Sequence, residues 1–287
     1  MVQLVDSDIK TRDVLGWKGV HVLHYSGSSC SQKLRIFLNL KGIAWESHVI
    51  DLHANENFQP WFLGINPRGL VPVLVHDGVV HIESNDIVGY LEQTFPQPRL
   101  IPAGHENEVA ALLRHEDDLH LDLRTLSFRF VFAPPGPPKS AAALKSYAAN
   151  GTGTVQGAKD PEKSVQIAFW ERATKEGFTD QAARTSAQKF RAEFDALDRR
   201  LAAQPYLMGD ALSVLDIAWF VYANRLSLGG YPLARLHPRV NAWVETLRAR
   251  PEFSREVAMP PEAVERLDAT RKAHAQAGKS LEQVAGF

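Results

Sequence analysis

Residues 65–84 read Ile65-Asn66-Pro67-Arg68-Gly69-Leu70-Val71-Pro72-Val73-Leu74-Val75-His76-Asp77-Gly78-Val79-Val80-His81-Ile82-Glu83-Ser84. Two short apolar runs, 72–75 and 79–82, flank His76-Asp77-Gly78, and Asp-Gly between such runs is a strong hairpin signal. Asn66–Gly69 is a turn that closes a short helix-like piece beginning at Asn57. Ser84 reads as the N-cap of a helix to Phe95, with Ile87, Val88 and Leu91 facing inward. Upstream, Gly19–Tyr25 is a strand-like run that ends in Ser26-Gly27-Ser28-Ser29. A helix follows, with Leu34, Phe37, Leu38 and Leu40 on one face, Lys33, Arg35 and Lys41 off it, and Gly42 as its stop. Trp45–Leu52 reads as a second strand. The order β-α-β-α-β-β-α predicts a small α/β sandwich with a mixed sheet.

Downstream the pattern changes. Pro96-Gln97-Pro98 reads as a linker, and helical spacing then dominates: His105–Phe132, Gln166–Glu176, Thr179–Ala203, Ser213–Leu226, Pro238–Arg250 and Glu262–Ala277. Residues 133–164 are rich in Pro, Ala, Gly, Ser and Thr, and are expected to be a mobile loop with at most one helical turn. The predicted layout is an N-terminal extension at 1–18, an α/β domain at 19–95, a linker at 96–102 and an all-helical domain at 103–287.

Composition limits the function. The 287 residues make about two domains' worth of chain. Lys+Arg 32 against Asp+Glu 33 leaves a net charge of −1, so no global field favours nucleic acid or an anionic membrane. One cysteine excludes a disulfide framework and suits a reduced cytosol. No apolar run approaches the ~20 residues of a membrane span, and residues 1–18 lack the apolar core of a signal peptide. His21, His24 and His81 alternate with apolar residues and show no metal-ligand spacing, so no metal is expected.

Three features carry chemistry. Val71-Pro72 precedes a strand. If the bond is cis, the N–H and C=O of Val71 turn outward, where an extended peptide can pair with them. Glu83-Ser84 opens a helix, whose free N–H groups and dipole suit a carboxylate while Glu83 could hold an ammonium. Ser26-Gly-Ser-Ser-Cys-Ser31 places hydroxyls and N–H groups where a thiolate would be stabilised. Taken singly, each also suits an ordinary edge proline, a plain N-cap, or a capped helix start with a buried cysteine. Together they fit an extended peptide with a free amino-acid end and a central thiol, the shape of glutathione.

On these stretches, together with Tyr25–Arg35, Ile82–Glu92, Tyr206-Leu207-Met208-Gly209-Asp210 and the capping box Ser213-Val-Leu-Asp216, the chain resembles the glutathione transferase superfamily over roughly 19–255. The resemblance implies a thioredoxin-like domain followed by an all-α domain, a cytoplasmic homodimer, glutathione as cosubstrate, and a small aromatic electrophile in the cleft between domains. It assigns Val71 and cis-Pro72 to the backbone clamp, Glu83 and Ser84 to the γ-glutamyl site, and Asn57 to the glycyl end. Ser28 takes the place of the activating hydroxyl, while Cys30 and Ser31 match a Cys-Ser pair of bacterial members. His120, Arg124, Ser127 and Phe128 fall where the electrophile pocket is lined.

A finer likeness, to bacterial glutathione-dependent β-aryl etherases, is carried by Pro60-Trp61-Phe62, Phe169-Trp170-Glu171-Arg172-Ala173 and Asn224-Arg225-Leu226. A further likeness, to a reductive dehalogenase subgroup, is carried by Ser28–Ser31 and Glu56-Asn57-Phe58. The expected activity is attack of a glutathione thiolate on the electrophile, including aryl-ether cleavage, in detoxification or aromatic catabolism. The alternatives are a non-catalytic ligand-binding protein and a Cys30-dependent reductase.

Overall fold

The structure is a computed structural model whose description covers residues 2–132 and 139–287. The chain divides into two compact units, residues 1–98 with 136–177, and residues 99–135 with 178–287.

The first unit is built on β1 (Val2–Gln3), β2 (Val20–His24), α1 (Ser29–Lys41), β3 (Glu46–Val49), α2 (Pro60–Leu63), β4 (Val73–His76), β5 (Val79–Ile82) and α3 (Ser84–Thr94). The sheet order is β1-β5-β4-β2-β3; β2 and β3 are parallel, and the other neighbours are antiparallel. The Asp-Gly hairpin forms as the sequence predicts. Asp77 and Gly78 both have positive φ, 49° and 79°, as a type I′ turn requires. Gly42 ends α1 in the left-handed region.

Two expectations for this unit need correction, and a third feature departs from the sequence pattern. The N-terminal segment is part of the sheet: Val2 pairs with Ile82, Leu4 donates its N–H to Val80 at 2.9 Å, and Leu4, Ile9 and Val14 enter the core. A two-residue strand is too short to show periodicity. Next, Lys33, Arg35 and Lys41, placed off the apolar face of α1, are nonetheless buried. Their stems pack in the interior while their heads are paired: Lys33 to Asn85 at 2.9 Å, Lys41 to Glu92 at 2.5 Å and to the Phe95 carbonyl at 2.8 Å. Lastly, Ser84 is the first helical residue of α3, and the cap position belongs to Glu83.

The segment expected to be a mobile loop at 133–164 is also corrected. Residues 133–138 lie outside the described residues. Beyond them the chain forms α6 (Ala141–Ala149), the hairpin β6 (Thr154–Val155) and β7 (Ala158–Lys159), and α7 (Glu162–Glu176), and these belong to the first unit. Its few large side chains suffice to anchor it. Tyr147 is fully buried with its ring stacked on Phe58 at 4.2 Å, and Val155 joins the sheet's core. Asp8, itself buried, accepts from Thr154 Oγ1 at 2.8 Å and from the Gly157 N–H at 3.1 Å, which fastens the hairpin to the N-terminal segment.

The second unit contains α4 (Glu106–Asp117), α5 (His120–Phe130), α8 (Asp180–Arg200), α9 (Val214–Leu228), α10 (Leu233–Leu236), α11 (Pro238–Arg248), α12 (Pro251–Val257), α13 (Pro261–Gln276) and α14 (Leu281–Ala285). The single helix expected over 105–132 is broken at Asp118-Leu119 into α4 and α5. α9 is buried on all sides from Val214 to Leu226, as a helix apolar around its circumference should be. The capping box forms at its start. Asp216 accepts from the Ser213 N–H and Oγ at 2.9 and 2.7 Å, and also from the Leu207 N–H at 2.8 Å and Trp243 Nε1 at 3.1 Å. Among the described residues no helix is long and apolar enough to cross a membrane.

Candidate active site

The bend between β2 and α1 is defined by backbone and side-chain bonds together. The Ser28 N–H donates to the Tyr25 carbonyl at 3.2 Å, and Ser28 then caps α1, its Oγ accepting from the Ser31 N–H at 3.3 Å. That bond uses a lone pair of the hydroxyl and leaves its hydrogen available to a ligand; among the described residues nothing accepts it. Ser28 as a residue is half-buried. Cys30 is half-buried one turn position into the helix.

Ser31 differs from the expectation. It is fully buried, and its Oγ accepts from the Tyr25 N–H at 3.4 Å. Its hydroxyl therefore organises the bend from inside.

Arg35 lies off the apolar face of α1, yet it holds the bend from beneath. Its guanidinium donates to the carbonyls of Tyr25 and Ser26, each at 3.2 Å, and to His24 Nδ1 at 3.1 Å. His24 Nδ1 then acts as the acceptor, and Nε2–H donates to Ser47 Oγ at 2.7 Å.

The second part of the site is the turn before β4. Val71-Pro72 is cis. Among the described residues, the polar backbone atoms of Val71 have no hydrogen-bond partner. Two asparagines hold the approach: Asn57 Nδ2 donates to the Gly69 carbonyl at 2.7 Å, and Asn66 Nδ2 to the Leu70 carbonyl at 2.8 Å. Asn57, expected at the glycyl end, is thus buried and braces the turn. Gly69 has a φ of 65°, and a Cβ there would lie 2.8 Å from the Tyr147 ring, so the turn accepts only glycine.

The third part is Glu83-Ser84. Glu83 has φ 66° and ψ 113°, a sparsely populated conformation for a residue with a side chain. Its carboxylate accepts from Arg68 Nη1 at 2.6 Å. The other edge of the same guanidinium binds Asp160, Nε to Oδ2 at 3.0 Å and Nη2 to Oδ1 at 2.7 Å. The Tyr147 hydroxyl donates to the Arg68 carbonyl. Burial pulls the Arg68 pKa down, but the two carboxylates outweigh it and leave the group held firmly in its charged form. Arg68 stands in the sequence motif without an assigned role, and Asp160 and Tyr147 stand in no motif. Asn66-Pro67-Arg68-Gly69 offered a signal for the first; the other two had none.

The four electrophile candidates all lie on α5 in the second unit. Ser127 is buried, with its Oγ unpartnered among the described residues, so it faces the interior. His120, Arg124 and Phe128 are half-buried. His120 Nδ1 lies 3.2 Å from the Tyr222 hydroxyl, and Phe128 stacks on Phe178 at 5.6 Å.

The first unit thus joins a mixed sheet to a capped hydroxyl bend, a cis-proline turn and a carboxylate at a helix start, and the second unit is helical. The Glutathione S-transferase N-terminal domain family matches residues 27–94 and the C-terminal domain family matches residues 180–246. Protein LigF of Sphingobium sp. is 28% identical over 221 residues, 74% of this chain and 82% of LigF. The crystal structure of beta-etherase LigF superposes with a TM-score of 0.67 at 27% identity, covering 83% of this chain and 98% of that one. A tetrachloro-p-hydroquinone reductive dehalogenase of Sphingobium chlorophenolicum is 28% identical over 250 residues, 84% of this chain and 96% of that one. Glutathione S-transferase 1 of Dianthus caryophyllus is 46% identical over 78 residues, 27% of this chain but only 35% of the relative. The chain belongs to the glutathione transferase superfamily.

Proposed function

We propose that the protein binds glutathione in its first unit and directs the thiolate at a small aromatic electrophile, with cleavage of a β-aryl ether as the reaction it serves. The observation that carries this reading is Ser28, whose oxygen is engaged by the helix while its hydrogen remains to be donated. A free thiol has a pKa near ~8.5, and a shift of about two units requires ~2.7 kcal/mol, within reach of one or two charge-assisted hydrogen bonds. Ser28 supplies one of them and the N–H groups at the start of α1 assist. Val71 pairs with the backbone of the tripeptide. Ser84 and the α3 N-terminus take the γ-glutamyl carboxylate, and Glu83 takes its ammonium. Asn57 contributes through the turn it braces. In the etherase step the thiolate sulfur bonds to the ether's Cβ, the Cβ–O bond breaks, and the aryloxide leaves with the electron pair and is protonated by water.

The similarity to LigF over most of both chains supports the ether as substrate. His120, Arg124 and Phe128 are the residues proposed to meet the electrophile. A cytoplasmic homodimer, the common state of the superfamily, belongs to the same reading.

The similarity to the reductive dehalogenase favours one alternative, in which the Cys30 thiolate attacks the sulfur of an aryl–glutathione thioether, forming a Cys30–glutathione mixed disulfide while the C–S bond breaks and the ring carbon takes the electron pair and a proton. A second glutathione then frees Cys30 by thiol–disulfide exchange, leaving as glutathione disulfide. Assays with glutathione against a chlorodinitrobenzene, a β-aryl ether and a halogenated hydroquinone separate the two. Loss of turnover in Ser28→Ala with Cys30→Ala active supports the proposed reading. The reverse pattern supports the Cys30 reading, and absence of glutathione binding leaves only a ligand carrier.

A further inference from the structure

On the parallel β2–β3 pair, His21 stands opposite Glu46, and His48 lies two residues further along β3, on the same face as Glu46. Their donor atoms converge. His21 Nδ1 is 3.1 Å from His48 Nε2 and 3.4 Å from Glu46 Oε2, and one donor atom from each residue lies within 4.8 Å of the others. The second nitrogen of His21, Nε2, is 2.8 Å from the Lys18 carbonyl. A carbonyl only accepts, so Nε2 carries the hydrogen and Nδ1 presents a lone pair to the cluster. This is the arrangement in which an outer hydrogen bond fixes the tautomer of a metal-binding imidazole. Trp17 covers the group: its ring stacks on His48 at 4.3 Å and lies 4.7 Å from His21.

We propose that His21, Glu46 and His48 form a three-ligand site for a borderline divalent cation such as Zn2+, Ni2+ or Cu2+, with a further position open to water. The spacing suits it. Metal–nitrogen and metal–oxygen bonds of about 2.0–2.2 Å in a tetrahedron give donor–donor edges of about 3.3–3.5 Å, close to the distances found. Two imidazoles with one carboxylate favour these metals over Mg2+ or Ca2+, which take oxygen ligands. On binding, the His48 hydrogen moves from Nε2 to Nδ1, the metal replaces the His21–His48 hydrogen bond, and no proton is lost. Local spacing in the sequence shows only the Glu46-x-His48 pair, because the third ligand, His21, comes from the neighbouring strand. The expectation of no metal considers His21, His24 and His81 and takes in neither Glu46 nor His48. Its role would be to fasten the edge strand β3 to β2. Between the two ligands of β3 lies Ser47, which accepts from His24 in the chain of bonds that ends at the 25–26 carbonyls.

The test is calorimetric titration of Zn2+ and of Ni2+ into untagged, chelator-treated full-length protein, with Cu2+ quenching of tryptophan fluorescence as a second readout. The site predicts one equivalent per chain with micromolar affinity. His48→Ala and Glu46→Gln should each weaken it by ~10-fold or more, while conjugation of glutathione by His48→Ala is unchanged. Trp17→Phe should keep the binding and lose much of the quenching. Binding that is undiminished in both His48→Ala and Glu46→Gln, or no saturable binding to the wild type, overturns the proposal. Neither result bears on the glutathione reading.

Discussion

Arg68 and Asp160 form a two-point ion pair, with Nε–Oδ2 at 3.0 Å and Nη2–Oδ1 at 2.7 Å, and the third nitrogen of the same guanidinium is left for Glu83. Asp160, between β7 and α7, thereby sets the position of the carboxylate proposed to hold the amino group of glutathione. Planar two-point pairing is the geometry that guanidinium provides and ammonium does not.

Asp160→Asn should therefore raise KM for glutathione by about 5–10-fold, a fraction of a charge-assisted bond, while kcat changes little. Arg68→Lys should do the same. Steady-state kinetics with glutathione varied at saturating electrophile check this, and a drop in kcat at constant KM would contradict it. A glutathione analogue lacking the γ-glutamyl amine should show no difference between wild type and Asp160→Asn, because the ammonium is the group this chain of bonds positions.

Asp216 makes a prediction about stability. Its carboxylate is completely buried and accepts from four donors, two of them backbone N–H groups. Burial raises its pKa against the pull of those bonds. Asp216→Ala orphans the donors in the interior and should cost about 3–5 kcal/mol, measured by urea unfolding. A cost under ~1 kcal/mol would show that water or a rearrangement satisfies them.

Asp8 makes a prediction about pH. Burial raises its pKa, but bonds from Thr154, Val5, Gly157 and Gln156 outweigh this and leave the value below the usual one. Its stabilising contribution is therefore complete above the unfolded carboxyl pKa of about 3.9 and is lost as pH falls through the lower folded value. Asp8→Asn should be less stable than wild type at neutral pH, and the difference should shrink on acidification below pH ~4. Hydrogen exchange in the 154–159 hairpin, followed from pH 6 downward, reads this; a gap that widens on acidification has the wrong sign.

The elements that were legible in the sequence announce themselves locally. Asp77-Gly78 fixes a hairpin because both residues accept positive φ, Gly42 ends α1 for the same reason, and Ser28 lies one residue before a helical run. The elements that were not legible depend on partners far along the chain. Lys33, Arg35 and Lys41 lie off the apolar face of α1, and their burial rests on Asn85, the 25–26 carbonyls and Glu92, which come from elsewhere in the fold. Residues 139–164 look like loop by composition and are ordered by Tyr147 on Phe58, Thr154 on Asp8 and Asp160 on Arg68. Ser31 and Asn57 match the family by position, yet their side chains turn inward to hold the bend and the turn.

The measurement closest to the central claim is a pH titration of glutathione bound to the protein, followed by the ultraviolet absorbance of the thiolate. With Ser28 donating its free hydrogen, the midpoint should lie about two units below the ~8.5 of the free thiol, and Ser28→Ala should return it most of the way. A midpoint near that of free glutathione in the wild type, or the same depressed midpoint in Ser28→Ala, would contradict the account.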